Sequence, residues 1–121
     1  MSDQPKLDPS AIVAEREVRF DPHPDEGTDP QPIRFRIGRP VQHAEAWVCP
    51  FEIDAFGELR AESAQGADSV QALLLALAKL RIILSALALE RRGRLEFAGR
   101  LGPGLPSLFE EPLAETNPGD R

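Results

Sequence analysis

One long apolar segment, residues 69–92, constrains the fold of this chain more than any other feature. Asp68 precedes it as a good N-cap residue, and Gln71 three positions later completes a capping-box pattern. Strong helix formers fill the segment, arginines end it, and Gly93 suits the C′ position. The pattern predicts a single long helix.

This helix is apolar on two sides. At 100° per residue, one broad face carries Leu73, Leu77, Leu80, Leu84 and Leu87. A second stripe of Leu75, Ile82 and Leu89 recurs every seven residues. Because a helix that is apolar on two sides is buried on two sides, the first face should cover a sheet and the second stripe should meet another apolar surface.

Two coverings of the second stripe are open. The first is the C-terminal segment of the same chain, whose apolar residues are Leu101, Leu105, Leu108 and Phe109. The second is the same stripe of another copy, packed about a two-fold axis in a homodimer. A membrane span is not expected, because Lys79 and Arg81 interrupt the apolar run.

The strands predicted around this helix alternate apolar and polar residues. They cover residues 11–20, 33–38 and 46–53, with a weaker one at 59–64 and a short one at 94–98. The sequence therefore predicts an α+β domain, with an antiparallel sheet of three or four strands, one covering helix and an extended C-terminal tail. We place a polar segment at 1–10, the domain at 11–109 and an acidic tail at 110–121.

Charge and composition exclude several classes of protein. The net charge is -6, made up of -5 over residues 1–32, +2 over 33–100 and -3 over 101–121. A chain-wide attraction to nucleic acid or anionic membranes is therefore not expected. With one cysteine and a polar N-terminus, we expect neither a disulfide framework nor a secretory signal, and we predict a cytoplasmic protein.

Few residues suggest chemistry. Cys49 shares its strand face with apolar side chains, which favours a buried small hydrophobe over a nucleophile. His23 lies in a loop rich in proline and aspartate, and His43 lies near Glu45, but neither spacing matches a metal loop. We therefore expect no catalytic residues, no metal and no cofactor.

A basic strip follows one of the predicted strands. It consists of Arg34, Arg36 and Arg39, which could meet an anionic ligand. Glu15 and Glu17 on the neighbouring strand have the number and phase to pair with these arginines across the sheet. We favour that structural pairing.

Two motifs resemble a known family. Residues 47–53 read Trp-Val-Cys-Pro-Phe-Glu-Ile, and residues 65–77 contain the run Gly-Ala-Asp-Ser-Val-Gln-Ala-Leu. With the Gly-Leu-Pro of 104–106, they resemble small uncharacterised bacterial proteins with the pattern CP(F/Y)xI…GxDSxQALxLAL, a likeness that spans about residues 33–106. This resemblance implies a shared fold but no site residues.

A more distant likeness is to HicB-type antitoxin domains. It rests on the layout of Gly66, Asp68, Ser69, Ala72 and Leu73 at the start of the helix. This chain lacks the Pro-Gly-Cys turn of those domains and an appended DNA-binding segment, so the likeness does not extend to repression.

The sequence as a whole favours a non-enzymatic module that binds another protein or itself. Its candidate interface is Leu75, Ile82 and Leu89, with Asp68 and Gln71 as the helix cap. The alternatives are a toxin-neutralising protein of the antitoxin or immunity type, and a small enzyme or ligand binder that uses the 39–45 loop.

Overall fold

The computed structural model describes residues 7–106. Within these residues, besides two short 3-10 turns, seven strands and one α-helix follow one another. They are β1 (Ile12–Pro22), β2 (Gln31–Gly38), β3 (Val41–His43), β4 (Ala46–Ala55), β5 (Glu58–Gly66), α1 (Ser69–Glu90), β6 (Gly93–Phe97) and β7 (Arg100–Leu101). The fold is α+β, as the sequence predicts.

All strands belong to one antiparallel sheet, so the prediction of three or four strands is wrong. The five longer strands lie in the order β5-β4-β2-β1-β6. β2 and β3 pair with the same edge of β4, β3 with its first residues and β2 with its later ones. β5 pairs along the opposite edge of β4. β7 pairs with β6 at the far side of the sheet.

The additional strands are short or weakly patterned, which is why hydrophobic periodicity does not reveal them. β3 has three residues, all exposed, and β7 has two, also exposed. Both are formed by tight hairpins, in which Ala44 and the pair Ala98-Gly99 adopt positive φ angles. No apolar alternation can develop over so few residues.

The core lies between one face of the sheet and α1. From the sheet it takes inward residues of the central strands, such as Phe35, Phe51 and Ile53. From the helix it takes Ala72, Ala76, Leu80, Ile83, Leu84 and Ala88. The alanines among these let the helix backbone approach the sheet closely.

The helix begins at the residues that the capping pattern indicates. Asp68 accepts a hydrogen bond from the backbone N–H of Gln71 at 2.8 Å, and the Gln71 side chain accepts one from the N–H of Ala67 at 2.6 Å. Gly66 is required just before, because a Cβ there would lie 2.9 Å from Cα of Ala72 in the first helical turn.

The end of the helix differs from the prediction. Arg92, with φ of 57°, takes the left-handed position that was expected for Gly93. Gly93 is needed for a different reason, since a Cβ there would lie 2.6 Å from the carbonyl oxygen of Asp21 and collide with the ring of Phe20. Close packing against β1, and not a positive φ, therefore selects glycine.

Candidate functional site

The two faces of α1 have different environments. Its inner face is buried on the sheet, whereas the face opposite carries large apolar side chains in contact with solvent. By length and composition, α1 could cross a membrane, but core helices of soluble proteins meet the same criterion. The burial of its inner face in this domain is the behaviour of a core helix.

Large apolar side chains are exposed in both halves of α1: Val70 and Leu74 in the first half, and Ile82 and Leu89 in the second. Ile82 is 54% exposed and Leu89 is 81% exposed, and Ser85 and Ala86 between them are also exposed. These four residues, at i, i+3, i+4 and i+7, occupy one side of two helical turns. We call them the outer patch.

The first half of the same face is less open. Leu75 is partly buried against the core cluster, and Ala78 is buried although it lies outside that cluster. The sequence predicts an interface of Leu75, Ile82 and Leu89. The structure leaves Ile82 and Leu89 exposed, whereas Leu75 is partly buried. A seven-residue repeat places residues on a face but does not report how deeply each is covered.

The described part of the C-terminal segment does not cover the outer patch. Leu105 is buried in the core, whereas Leu101 is 73% exposed and lines a groove together with Leu89. Leu108 and Phe109, which the sequence also offers as a cover, lie outside the described residues.

Charged side chains along α1 are directed away from the outer patch. Lys79 Nζ donates to the carbonyl oxygen of Ser63 at 2.9 Å and lies 3.6 Å from the carboxylate of Glu62. Arg81 donates to the carbonyl oxygen of Leu105 at 2.6 Å. The two cations that flank the patch therefore contact their own sheet and tail, and the surface between them stays apolar.

The arginines that follow the patch are also engaged. The guanidinium of Arg91 stacks on the ring of Phe56 at 4.1 Å from its centroid. Arg92 lies 3.4 Å from the carboxylate of Glu26. These contacts tie the helix end to the β4–β5 turn and to the β1–β2 connection, without placing a charge over the patch.

Two grooves border Leu89. One, of about 280 Å³, lies between α1 and the β6–β7 edge and includes Ser85, Leu95 and Leu101 in its lining. The other, of about 670 Å³, is bordered by His23, Arg92 and Arg94. Leu89 thus projects between two concave surfaces, which is a shape suited to contact with another macromolecule.

The segment after β7 is held by Arg16, to which the sequence assigns no role. Arg16, a misfit on the apolar face of β1, donates to the carbonyl oxygens of Gly104 at 2.8 Å and Pro103 at 3.3 Å. Its guanidinium also lies 4.0 Å from the centroid of the Phe97 ring. The sequence signal for these contacts was the position of Arg16 in phase with the apolar residues of β1, because a charged residue on a buried face needs a partner.

The other candidate residues form no reactive site. Cys49 is completely buried, and this burial raises the pKa of its thiol to about 11, which confirms the prediction of a buried small hydrophobe. His23 and His43 are exposed, and no cluster of three metal-ligating side chains occurs within residues 7–106. The grooves described above are lined by residues outside the 39–45 loop.

Two of the three arginines in the basic strip are paired as expected. Arg34 lies 2.8 Å from Glu17 and Arg36 lies 3.2 Å from Glu15, each across the β1–β2 register. The pKa of Arg34 is raised by its hydrogen bond to Glu17. Cross-strand pairing is confirmed for Arg34 and Arg36, whereas Arg39 lies beyond the end of β2 and forms no ion pair among residues 7–106.

A match to a family model gives the relationship of this chain. The model is described as Domain of unknown function (DUF6968), and it matches residues 14–107. The chain belongs to this family. The expectation of an uncharacterised domain family is thereby confirmed, whereas the motif pattern and the likeness to HicB-type antitoxin domains remain predictions.

Comparisons beyond the family model give no further relatives. No curated protein and no solved structure matches the chain. Membership in DUF6968 assigns no activity, so function has to be argued from the geometry of the domain itself.

Proposed function

We propose that this DUF6968 protein is a non-enzymatic interaction module that binds protein through the outer patch of α1. The observation that carries the proposal is the exposure of Ile82 and Leu89, at 54% and 81%, on the central helix of the fold. Contiguous exposed apolar surface on a folded domain is typical of an interaction site.

The surroundings of the patch support this function. Small side chains at Ser85 and Ala86 separate the two large ones, so that another chain can approach the helix backbone. The neighbouring charges of Lys79 and Arg81 are satisfied within the domain, so the patch can be covered without stripping water from an unpaired charge.

A binding experiment with the full chain tests the proposal. The immobilised wild type is exposed to a lysate of its native cell and to additional copies of itself, beside the variants Ile82→Glu and Val41→Glu. Val41 is 48% exposed on β3 and serves as the matched control, because its replacement also puts a carboxylate on an exposed apolar site.

We expect the wild type and Val41→Glu to retain a protein, either another chain or more of the same chain. Ile82→Glu should retain little, because a buried carboxylate without a partner is strongly unfavourable. Retention that is equal in all three variants, or absent from the wild type, contradicts the proposal.

A further inference from the structure

We infer that the occupant of the outer patch is a second copy of this chain, with the two α1 helices antiparallel about a two-fold axis that passes between Ser85 and Ala86. The inference rests on the proposed function, since it names the partner of that same face. It is argued from the size and charge of the residues along the patch.

The order of side-chain sizes in the patch is the same in both directions. From Ile82 to Leu89 the exposed residues are large, small, small and large. In an antiparallel isologous contact, residue i of one copy meets residue j of the other and residue j meets residue i, so this order sets large side chains opposite large ones and small opposite small. Ile82 then lies opposite the partner's Leu89, and Ser85 lies opposite the partner's Ala86.

Small residues at the centre make this arrangement compact. Where the axis passes, only Ser85 and Ala86 stand between the two helix backbones, so the helices can approach closely. The large side chains on either side of the axis then contact each other instead of holding the helices apart. A patch with large residues at its centre would lack this property.

The charges that border the patch are also complementary under the same axis. Lys79 and Glu90 lie on one flank of α1, about 20° apart around the helix. Lys79 lies about 10 Å before the axis and Glu90 about 7 Å after it, so the axis brings Glu90 of one copy beside the partner's Lys79. The Lys79 side chain keeps its contacts to Ser63 and Glu62 but is 46% exposed, so its ammonium can also attract this carboxylate. Glu90 is exposed and has no ion-pair partner among residues 7–106, so its carboxylate is available for such a contact.

The charges on the other flank of α1 disfavour the antiparallel pairing only slightly. Arg81 and Arg92 lie there, but the first donates to the carbonyl oxygen of Leu105 and the second contacts Glu26. A two-turn patch, extended by Leu101, buries less than the ~800 Å² per partner of a standard interface. We therefore expect a weak, concentration-dependent dimer.

Sedimentation velocity over a range of concentrations measures this association. We expect the wild type and Val41→Glu to shift from monomer to dimer, and we expect Ile82→Glu to weaken dimerisation by about a hundredfold or more. A wild type that stays monomeric at submillimolar concentration overturns the second copy as occupant. In that case, retention from lysate that depends on Ile82 still supports the proposed function, and its absence contradicts both.

Cysteine cross-linking tests the orientation. In the antiparallel pair, Ile82→Cys of one copy lies opposite Leu89→Cys of the other. Identical sites lie about 10 Å apart along the helix axis, too far for a disulfide, whose Cα atoms lie at most about 7 Å apart. The native Cys49 is completely buried and stays unreactive.

We expect a mixture of the two single variants to form about tenfold more covalent dimer than either variant alone. Cross-linking of either single variant to itself, as readily as in the mixture, overturns the antiparallel arrangement. A mixture without cross-links, from variants that circular dichroism shows to be folded, overturns it as well.

Discussion

Glu52 shows how a single charged residue is accommodated in this fold. It is 1% exposed, although it lies on the face of the sheet opposite α1. Its carboxylate accepts from Arg36 at 2.8 Å and from the backbone N–H of Leu7 at 2.9 Å. The chain before β1 thus passes over this face of the sheet and is fixed there by a buried ion pair.

Loss of one partner of this ion pair should be costly. In Arg36→Met, the Glu52 carboxylate stays buried without its cation, and we expect the free energy of unfolding to fall by about 3–5 kcal/mol. The double variant Arg36→Met/Glu52→Met should recover most of that loss, because no uncompensated charge remains. Urea unfolding of both variants provides the measurement, and equal stability of single and double variant would contradict this account.

Gly66 is the residue on which the junction of β5 and α1 depends. We expect Gly66→Ala to lower the free energy of unfolding by about 1–3 kcal/mol, since its Cβ would overlap the first turn of the helix. The neighbouring Gln65→Ala is the control, because Gln65 is exposed and its replacement should change stability by less than about 0.5 kcal/mol. If thermal unfolding gives the same midpoint for both variants, the close approach is not a constraint.

At the scale of the element, α1 has two faces to which we assign different functions. Leu80 is completely buried in the core, whereas Ile82, two residues later, is more than half exposed. The inner face therefore holds the domain together, and the outer face is available for binding.

A pair of matched truncations separates these two functions. Leu80→Ala should lower the free energy of unfolding by about 2–5 kcal/mol, because it leaves a cavity in the core. Ile82→Ala should change it by less than about 1 kcal/mol when measured in dilute solution, where the protein is monomeric. Chemical unfolding of both variants checks this difference, and similar losses would mean that Ile82 is part of the core.

The sequence alone predicted the strands and the helix whose hydrophobic residues recur with a clear period. Alternation located β1, β2 and β4, and the pairing of Glu17 with Arg34 followed from their phase in neighbouring strands. The start of the helix followed from Asp68 and the run of helix formers, whereas its end lies two residues before the predicted one. Local physical preferences are strong in these segments and agree with the fold.

The remainder depends on tertiary contacts that no local pattern encodes. Arg16 and its partner Gly104 are 88 residues apart in the sequence, and only the folded chain brings them together. The selection of glycine at position 93 depends on the ring of Phe20 on another strand. Likewise, the stripe of Leu75, Ile82 and Leu89 was visible in the sequence, but the degree to which each is covered was not.

At the scale of the whole molecule, the domain combines a closed core with one open helical face. The sheet face opposite α1 is occupied by paired charges, such as those of Arg34 and Arg36. The end of the sheet beyond β6 is closed by Arg16 and the segment that follows β7. The outer patch is one of the apolar surfaces left exposed on the described domain, beside the exposed side chains of Val13, Val41, Val70 and Leu74.

If two copies share the outer patch as an interaction surface, as we propose, its residues should respond to protein concentration, and this response can be followed residue by residue. Amide ¹H–¹⁵N spectra of the full chain are recorded as the protein is diluted. We expect shifts at Ile82, Ser85, Ala86 and Leu89 that grow with concentration, and none at Val41–His43 on β3. Spectra that do not change with concentration, or changes confined to β3, would contradict the account.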